Sequence, residues 1–249
     1  TKKIGFEYSV FYEIDNQKSS NVGINFTNSQ NHSASIPSDG SISDSIGEFD
    51  NFKIFYSFAD DSRNDKFYPN KGTLNRFILE YSPQQMSDDS FVKINLRNTN
   101  YFNVSQNSNF IFIDNNFGFA ESINGKLKTK DTFSLGGLNF KGFDYNGIGP
   151  LNSNNIYLGG NKYFTSTIGY GSKFLFDEKD NINFKFFYSF GSLWDSDYIN
   201  SDFRLRSSAG ISLDLLTAIG PISFSYSLPI NKSDTDETKN FNFSIGTSF

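Results

Sequence analysis

The chain has 249 residues, with 22 Lys and Arg against 27 Asp and Glu and a formal net charge of −5. That balance provides no basic footprint for a nucleic acid, and the absence of cysteine excludes a disulfide scaffold and thiolate metal sites. Aromatic residues reach 18%, with 30 Phe and 13 Tyr, yet mean hydropathy is −0.45. Apolar and polar residues are therefore interleaved, and no run approaches the ~18 apolar residues of a membrane helix.

The first residues, TKKIGFEYSV, already alternate: Ile4, Phe6, Tyr8 and Val10 against Gly5, Glu7 and Ser9. Period-two alternation puts the two sets on opposite faces of a β-strand. With no initiator Met and no signal-peptide core at this end, the chain reads as part of a longer protein that begins inside a strand. Further alternating segments follow near 20–27, 51–59, 73–82, 90–102, 108–119, 161–175, 181–191, 203–216, 221–229 and 239–248. Counting the first, near 3–13, these are about eleven strands with little helix, an all-β class. The only histidine, His32, lies in the polar run NSQNHSAS and is expected in a solvated loop.

Spacers alternate in length. TAIGP (217–221) is short, whereas 28–48 and 135–160 are long and polar. Outer-membrane barrels join their strands by short turns on one side and longer loops on the other. With the C-terminus placed in the periplasm, 28–50, 83–89, 120–160, 195–202 and 230–238 become extracellular. The segments 14–19, 60–72, 103–107, 176–180 and 217–220 become periplasmic, with 60–72 unusually long for that side.

The clearest faces lie in the C-terminal half. Ile222, Phe224, Tyr226 and Leu228 oppose Ser223, Ser225 and Ser227. Leu205, Ala209, Ile211, Leu213 and Leu215 oppose Arg204, Arg206, Ser208, Ser212 and Asp214. Ile182, Phe184, Phe186, Tyr188 and Phe190 oppose Asn183, Lys185 and Ser189, with Phe187 the odd aromatic inward. Lys or Arg at a lipid-facing midplane costs about 2–4 kcal/mol, and here the charges keep to the polar face. The pattern predicts an antiparallel up-and-down transmembrane β-barrel with an aromatic lipid face and a wet or plugged lumen. A secreted β-sandwich with polar outer faces is the alternative. Bacterial barrels usually have an even strand count, so eleven strands imply an incomplete barrel, residues 1–249 being its C-terminal portion. The sheet should stay open, with the strands at 3–13 and 239–248 as its edges.

Five motifs, in order over residues 50–249, carry a family resemblance. DKFYPNKGT (65–73) resembles a Phe-Phe-Pro-Thr-x-Gly turn. LGGLNFKGFDYNGIGP (135–150) resembles a Gly-Gly-x-x-x-Val-Arg-Gly-Phe loop followed by Ile-Gly-Pro. LGGN (158–161) matches the start of the next strand, FGSLWD (190–195) resembles an Asp-x-Gly-x-Val-Trp-Asp strand end, and 219–249 matches a final hairpin and last strand. The chain thus resembles the C-terminal part of BamA-type barrels, the assembly factors of the bacterial surface antigen family.

The resemblance implies a location in the outer membrane and a role in inserting nascent barrel proteins through a lateral gate. The implied partners are outer-membrane lipids, nascent outer-membrane proteins and assembly-machinery lipoproteins, with no cofactor and no enzyme activity. The chain shows no GxSxG and no nucleophile–base–acid set, and Asp214 with Arg204 and Arg206 reads as a lumen charge network. A translocation-assembly or two-partner-secretion transporter remains an alternative, as does a passive porin, which would not need the Gly-rich loop.

The implied site residues fall in two groups. Gly136, Gly137, Phe140, Lys141, Gly142, Phe143, Gly149 and Pro150 form a lumen loop motif. Phe241, Phe243, Gly246 and Phe249 form a C-terminal insertion signal and gate strand, with Gly246 matching a family glycine that bends the strand. The aromatic residues of this group also suit a simple lipid-facing girdle. The family's loop arginine is Lys141 here, and its two acidic partners fall on Gly169 and Ser189. The loop is therefore expected to fold into the lumen on Phe140, Phe143 and Tyr145. Lys141 should then meet water, backbone carbonyls, Asp114 or Asp144, and Lys141→Ala should cost less than about 1 kcal/mol. A surface-exposed loop is the alternative.

Overall fold

The computed structural model describes residues 2–32, 40–104, 109–172, 182–217 and 220–246. Eleven strands form one sheet: β1 (Lys2–Glu13), β2 (Lys18–Asn31), β3 (Gly47–Asp61), β4 (Gly72–Ser82), β5 (Phe91–Asn103), β6 (Phe110–Ser122), β8 (Lys162–Ser172), β9 (Ile182–Trp194), β10 (Arg206–Thr217), β11 (Gly220–Asn231) and β13 (Phe241–Ile245). Each pairs antiparallel with its neighbour in the order β1-β2-β3-β4-β5-β6-β8-β9-β10-β11-β13. Two short strands, β7 (Gly142–Phe143) and β12 (Thr238–Lys239), pair separately. One helical turn, α1 (Gly40–Ser43), lies between β2 and β3.

The meander is open: β1 and β13 are its edges, and no ladder joins them among the described residues. That is the expected incomplete barrel. The sandwich alternative fails on the distribution of burial. Ser208, Ser212, Ser225, Ser227 and Asn242 are buried, while Phe186, Ile211, Tyr226, Leu228, Phe241 and Phe243 are exposed. Phe187, inward as expected, is buried at 7% exposure. In water this arrangement would forfeit roughly 25 cal/mol for each Å² of apolar surface left uncovered. In lipid the same face is at home, and cross-strand rings such as Phe224–Phe243 (centroids 5.1 Å apart) and Phe117–Phe164 (4.9 Å) knit it together.

Several strands outrun their expected ends. The segment 28–50 is not all loop, because β2 continues to Asn31 and β3 starts at Gly47, with Gln30 opposite Glu48. Both faces are polar there, so alternation vanishes while main-chain pairing goes on. In contrast, β10 starts at Arg206 rather than near 203. His32 is exposed just beyond β2. The long connection 62–71 is tightly built. Asp65 Oδ1 accepts from the amides of Phe67 and Tyr68 (2.7 and 2.8 Å), and Arg63 grips Asp61 through two bonds of 2.8 Å. It returns Tyr68, 4% exposed, to the lumen.

Candidate functional site: plug, chamber and edge strand

The connection from β6 to β8, residues 123–161, folds back into the sheet's concave side. Leu127, Phe133, Leu135, Phe140, Phe143 and Ile148 build an apolar core there against Phe91, Ala120 and Leu193 of the strands, with Tyr163 packed alongside. Phe140 and Phe143 stack nearly parallel, centroids 5.1 Å apart and planes 8° apart. Gly136, Gly137, Gly142 and Gly149 all have positive φ. At Gly142 a Cβ would come within 2.8 Å of Ser208 Cβ, so the loop lies against the wall only because that residue has no side chain. Pro150 is fully buried and its carbonyl accepts from the Leu158 amide.

Tyr145 does not join this core: it is 75% exposed. The chain turns at Asp144–Gly147, where the Gly147 amide donates to the Asp144 carbonyl and Asn146 has a φ of 54°. The turn aims Tyr145 outward, and Ile148, 0% exposed, takes the inner place.

Lys141 points into the lumen with Nζ 5.1 Å from the centre of the Phe187 ring. Neither expected acid meets it. Asp114 is held by Arg97 and Thr99 on its own wall (3.0 and 2.6 Å), and Asp144 lies 3.6 Å from Lys239. Burial pushes the Lys141 amine down to about 8, Asp214 opposes that and Lys185 adds to it. The Lys141 carbonyl accepts a short bond from Ser208 Oγ (2.5 Å). Gly169 and Ser189 stand where the resemblance implied acids, and the carboxylate that acts on Lys141 comes from Asp214 on β10 instead.

The expected Asp214–Arg204–Arg206 network is also redistributed. Asp214 binds Lys185 of β9 (2.8 Å) and accepts from Ser223 (2.5 Å). Arg206 binds Asp236 through two bonds of 3.0 and 2.8 Å, with side chains only 5% and 1% exposed. The alternation had placed Arg206 inward. It gave no sign of Asp236, which lies thirty residues on in a loop of no regular pattern.

Asp236 belongs to a join between the plug and the segment leading into β13. Thr238 and Lys239 of β12 pair with Phe143 and Gly142 of β7. The Asp144 amide donates to the Glu237 carbonyl (3.0 Å), the Glu237 amide to the Gly147 carbonyl (2.8 Å), and Tyr157 Oη to the Thr235 carbonyl (2.5 Å). Past this join, β13 pairs with β11 at five positions among the described residues, Phe241 to Ile245, whereas the other neighbours in the sheet pair at eight to fourteen. Gly246 follows with a φ of 95° and its amide donates to the Pro221 carbonyl (2.8 Å). Phe241 and Phe243 are exposed on the lipid face. Phe249, the remaining residue of the expected terminal signal, lies outside the described residues.

Below the plug a chamber of about 690 Å³ remains, lined by Tyr68, Arg76, Arg97, Tyr163, Lys185 and Asp214 among others, and reaching Ser244 and Gly246 at the open edge. The arrangement is a lumen stoppered at one end, a polar chamber at the other, and beside it a strand whose outer edge pairs with no other strand among the described residues.

Comparison with known proteins gives this architecture a context. The Omp85 superfamily domain matches residues 1–249. A 62-residue stretch, 25% of this chain and 7% of the relative, is 39% identical to the outer membrane protein assembly factor BamA of Neisseria meningitidis serogroup B (strain ATCC BAA-335 / MC58). The crystal structure of BamA from Haemophilus ducreyi lacking POTRA domains 1-3 shares the fold with a TM-score of 0.80 at 19% identity, over 97% of this chain and 53% of that one. The chain therefore spans about half of that structure and a small part of the curated relative. Open antiparallel meander, lipid-facing aromatic wall and plugged lumen all fall within one family: the chain belongs to the Omp85 superfamily of bacterial outer-membrane barrels.

Proposed function

We propose that this chain is the C-terminal barrel portion of an outer-membrane protein assembly factor, and that β13 is one side of a lateral gate that templates nascent barrel strands. The observation that carries this reading is that, among the described residues, β13 pairs with β11 at five positions while the other ladders of the sheet are longer. An edge strand has a row of unpaired N–H and C=O groups that lipid cannot satisfy. An incoming strand satisfies them by main-chain hydrogen bonding, which is indifferent to side-chain sequence and so suits many clients. Gly246 relieves the bend at the strand's end. The work is done by templating, with no covalent chemistry. Outer-membrane lipids, nascent outer-membrane proteins and assembly lipoproteins are the partners in this reading, which the 39% identical stretch of an assembly factor supports. The plug argues against a passive pore, because the core around Phe140 and Phe143 fills the lumen at one end.

Site-specific disulfide capture tests the proposal. In the full-length protein, a cysteine at Ile245 should trap the terminal strand of a nascent barrel protein during assembly. A cysteine at Ile211 in β10, on the same exposed face, should not. Equal capture at both positions would remove β13 from the mechanism. A separate expectation concerns Phe249: a charged residue there should lower the amount of inserted protein in outer-membrane fractions while leaving the stability of inserted protein unchanged. Unchanged insertion would leave Phe249 a girdle residue.

A further inference from the structure

The chamber below the plug has a charge opposite to that of the chain. The whole protein carries a net −5, but seven Lys and Arg side chains line the chamber against two carboxylates, Asp114 and Asp214. Some of the cations are matched. Arg97 binds Asp114 (3.0 Å), Lys185 binds Asp214 (2.8 Å), and Arg63 binds Asp61 (2.8 Å). Lys93 donates to the carbonyls of Asp131 and Thr132 (2.9 and 3.3 Å). Arg76, Lys66 and Lys141 have no ion pair with any carboxylate among the described residues.

Arg76 is the least expected of these. It faces Arg97 directly across the β4–β5 ladder. Like charges directly opposed on one face destabilise a strand pair; Asp114 on β6 neutralises Arg97 (3.0 Å), but no carboxylate among the described residues pairs with Arg76. Such a pair is sustained when an anion enters between and above the two guanidinium groups, whose planar forks bind carboxylates through two parallel bonds.

We infer that the chamber binds an acidic, extended polypeptide segment, with Arg76 as its central anchor and Lys66 and Lys141 at either end. The cations come from separate places: the 62–71 turn, β4, β5, the plug and β9. Aromatic rings of Tyr68, Tyr101, Phe112 and Tyr163 stand between them. A single compact anion would engage one or two of these groups. Several carboxylates spaced along a chain, with apolar or hydroxyl side chains between them, engage the whole wall. A chamber of about 690 Å³ accommodates several residues of peptide. The inference uses only the lumen's charges and goes beyond the templating role proposed for β13, so either can fail without the other.

The test is fluorescence anisotropy with full-length protein in phosphatidylcholine nanodiscs. The probe is a dye-labelled peptide of alternating Glu and Thr, and the control probe has Gln in place of Glu. The acidic probe should bind and the neutral one should not, with affinity falling as salt is added. Arg76→Gln should weaken binding about tenfold or more, Arg76→Lys should restore part of it, and Lys18→Gln, at the start of β2 and outside the chamber, should have no effect. If Arg76→Gln fails to fold, as read by heat-modifiable mobility, Lys66→Gln on the exposed turn serves in its place. Equal binding of the two probes, or unchanged binding in the chamber variants, would overturn the inference. So would displacement of the peptide by inorganic phosphate at matched charge concentration, which would mark a site for any small anion.

Discussion

At the scale of single residues, the plug rests on Phe140 and Phe143, two rings stacked in parallel within a core they share with Phe91, Phe133 and aliphatic side chains. Removing a buried ring costs the lost transfer free energy and leaves a cavity, together about 3–5 kcal/mol. Phe140→Ala should therefore undock the loop while the strands stay paired, seen as faster hydrogen exchange over 135–150 with unchanged exchange in β5 and β9. Lys141 acts in the opposite sense. Docking buries its amine beside Phe187 and lowers it to about 8 from the ordinary 10.5, with Asp214 only partly offsetting the burial. Below pH 8 the docked loop bears the full penalty of a buried charge. Between 8 and 10.5 the docked form releases a proton that the undocked form still holds, so docking strengthens as pH rises through that window. Exchange protection of 135–150 should increase from pH 8 to 10.5 in the native protein and be flat in Lys141→Met. A decrease over that range would show that the ammonium stabilises the plug. The inward aromatics of this loop were expected only through the resemblance of LGGLNFKGFDYNGIGP to the family's lumen loop, since no periodicity marks them. The outward Tyr145 was not, because its direction depends on a turn closed by the Asp144 carbonyl and Gly147 amide rather than on spacing.

At the scale of elements, the edge strand is tied to the plug before it enters the sheet. The β7–β12 pair and the Asp144, Glu237 and Gly147 backbone bonds join the two, and the buried Arg206–Asp236 pair holds the same segment to β10. Breaking a buried ion pair by removing one partner costs about 3–5 kcal/mol, because the remaining charge stays buried and uncompensated. Asp236→Asn should thus speed hydrogen exchange across 238–245 while leaving β2 to β6 untouched. The doubly neutral Arg206→Met/Asp236→Leu variant should recover much of that protection. If the single variant leaves 238–245 as protected as before, the join is not what holds β13. None of this was visible in the sequence. A two-residue ladder between loops nearly a hundred residues apart has no periodicity, and the acid of an ion pair can come from any loop that reaches the arginine. The strands themselves were legible to within a few residues because each must show lipid an apolar face and the lumen a polar one. Their ends were misjudged where both faces turn polar, as at Gln30–Asn31 opposite Gly47–Glu48, because a ladder needs only main-chain groups to continue.

At the scale of the molecule, the whole sheet is sorted into two solvents, and adjacent residues in one strand sample both. Ile168 and Thr167 lie in the middle of β8. Ile168 is 45% exposed on the convex face. Thr167 lines the chamber and shares a 2.8 Å hydrogen bond with Ser189. If the convex face meets lipid, Ile168→Lys places an ammonium near the bilayer midplane at a cost of about 2–4 kcal/mol. Thr167→Lys sends the same ammonium into the wet chamber, where the lost hydroxyl bond costs about 1 kcal/mol and the added positive charge is screened by water and salt. Denaturant unfolding of the barrel in lipid vesicles should therefore show the larger loss at Ile168, by roughly 1–3 kcal/mol, the difference of those two costs. In a water-soluble sandwich the order would reverse, because Ile168 would then be the solvated position and Thr167 the buried one. The comparison is insensitive to strand pairing, since the two residues share a ladder with β6 and β9. It isolates the single property that an inside-out sheet needs, a convex face that lipid rather than water covers.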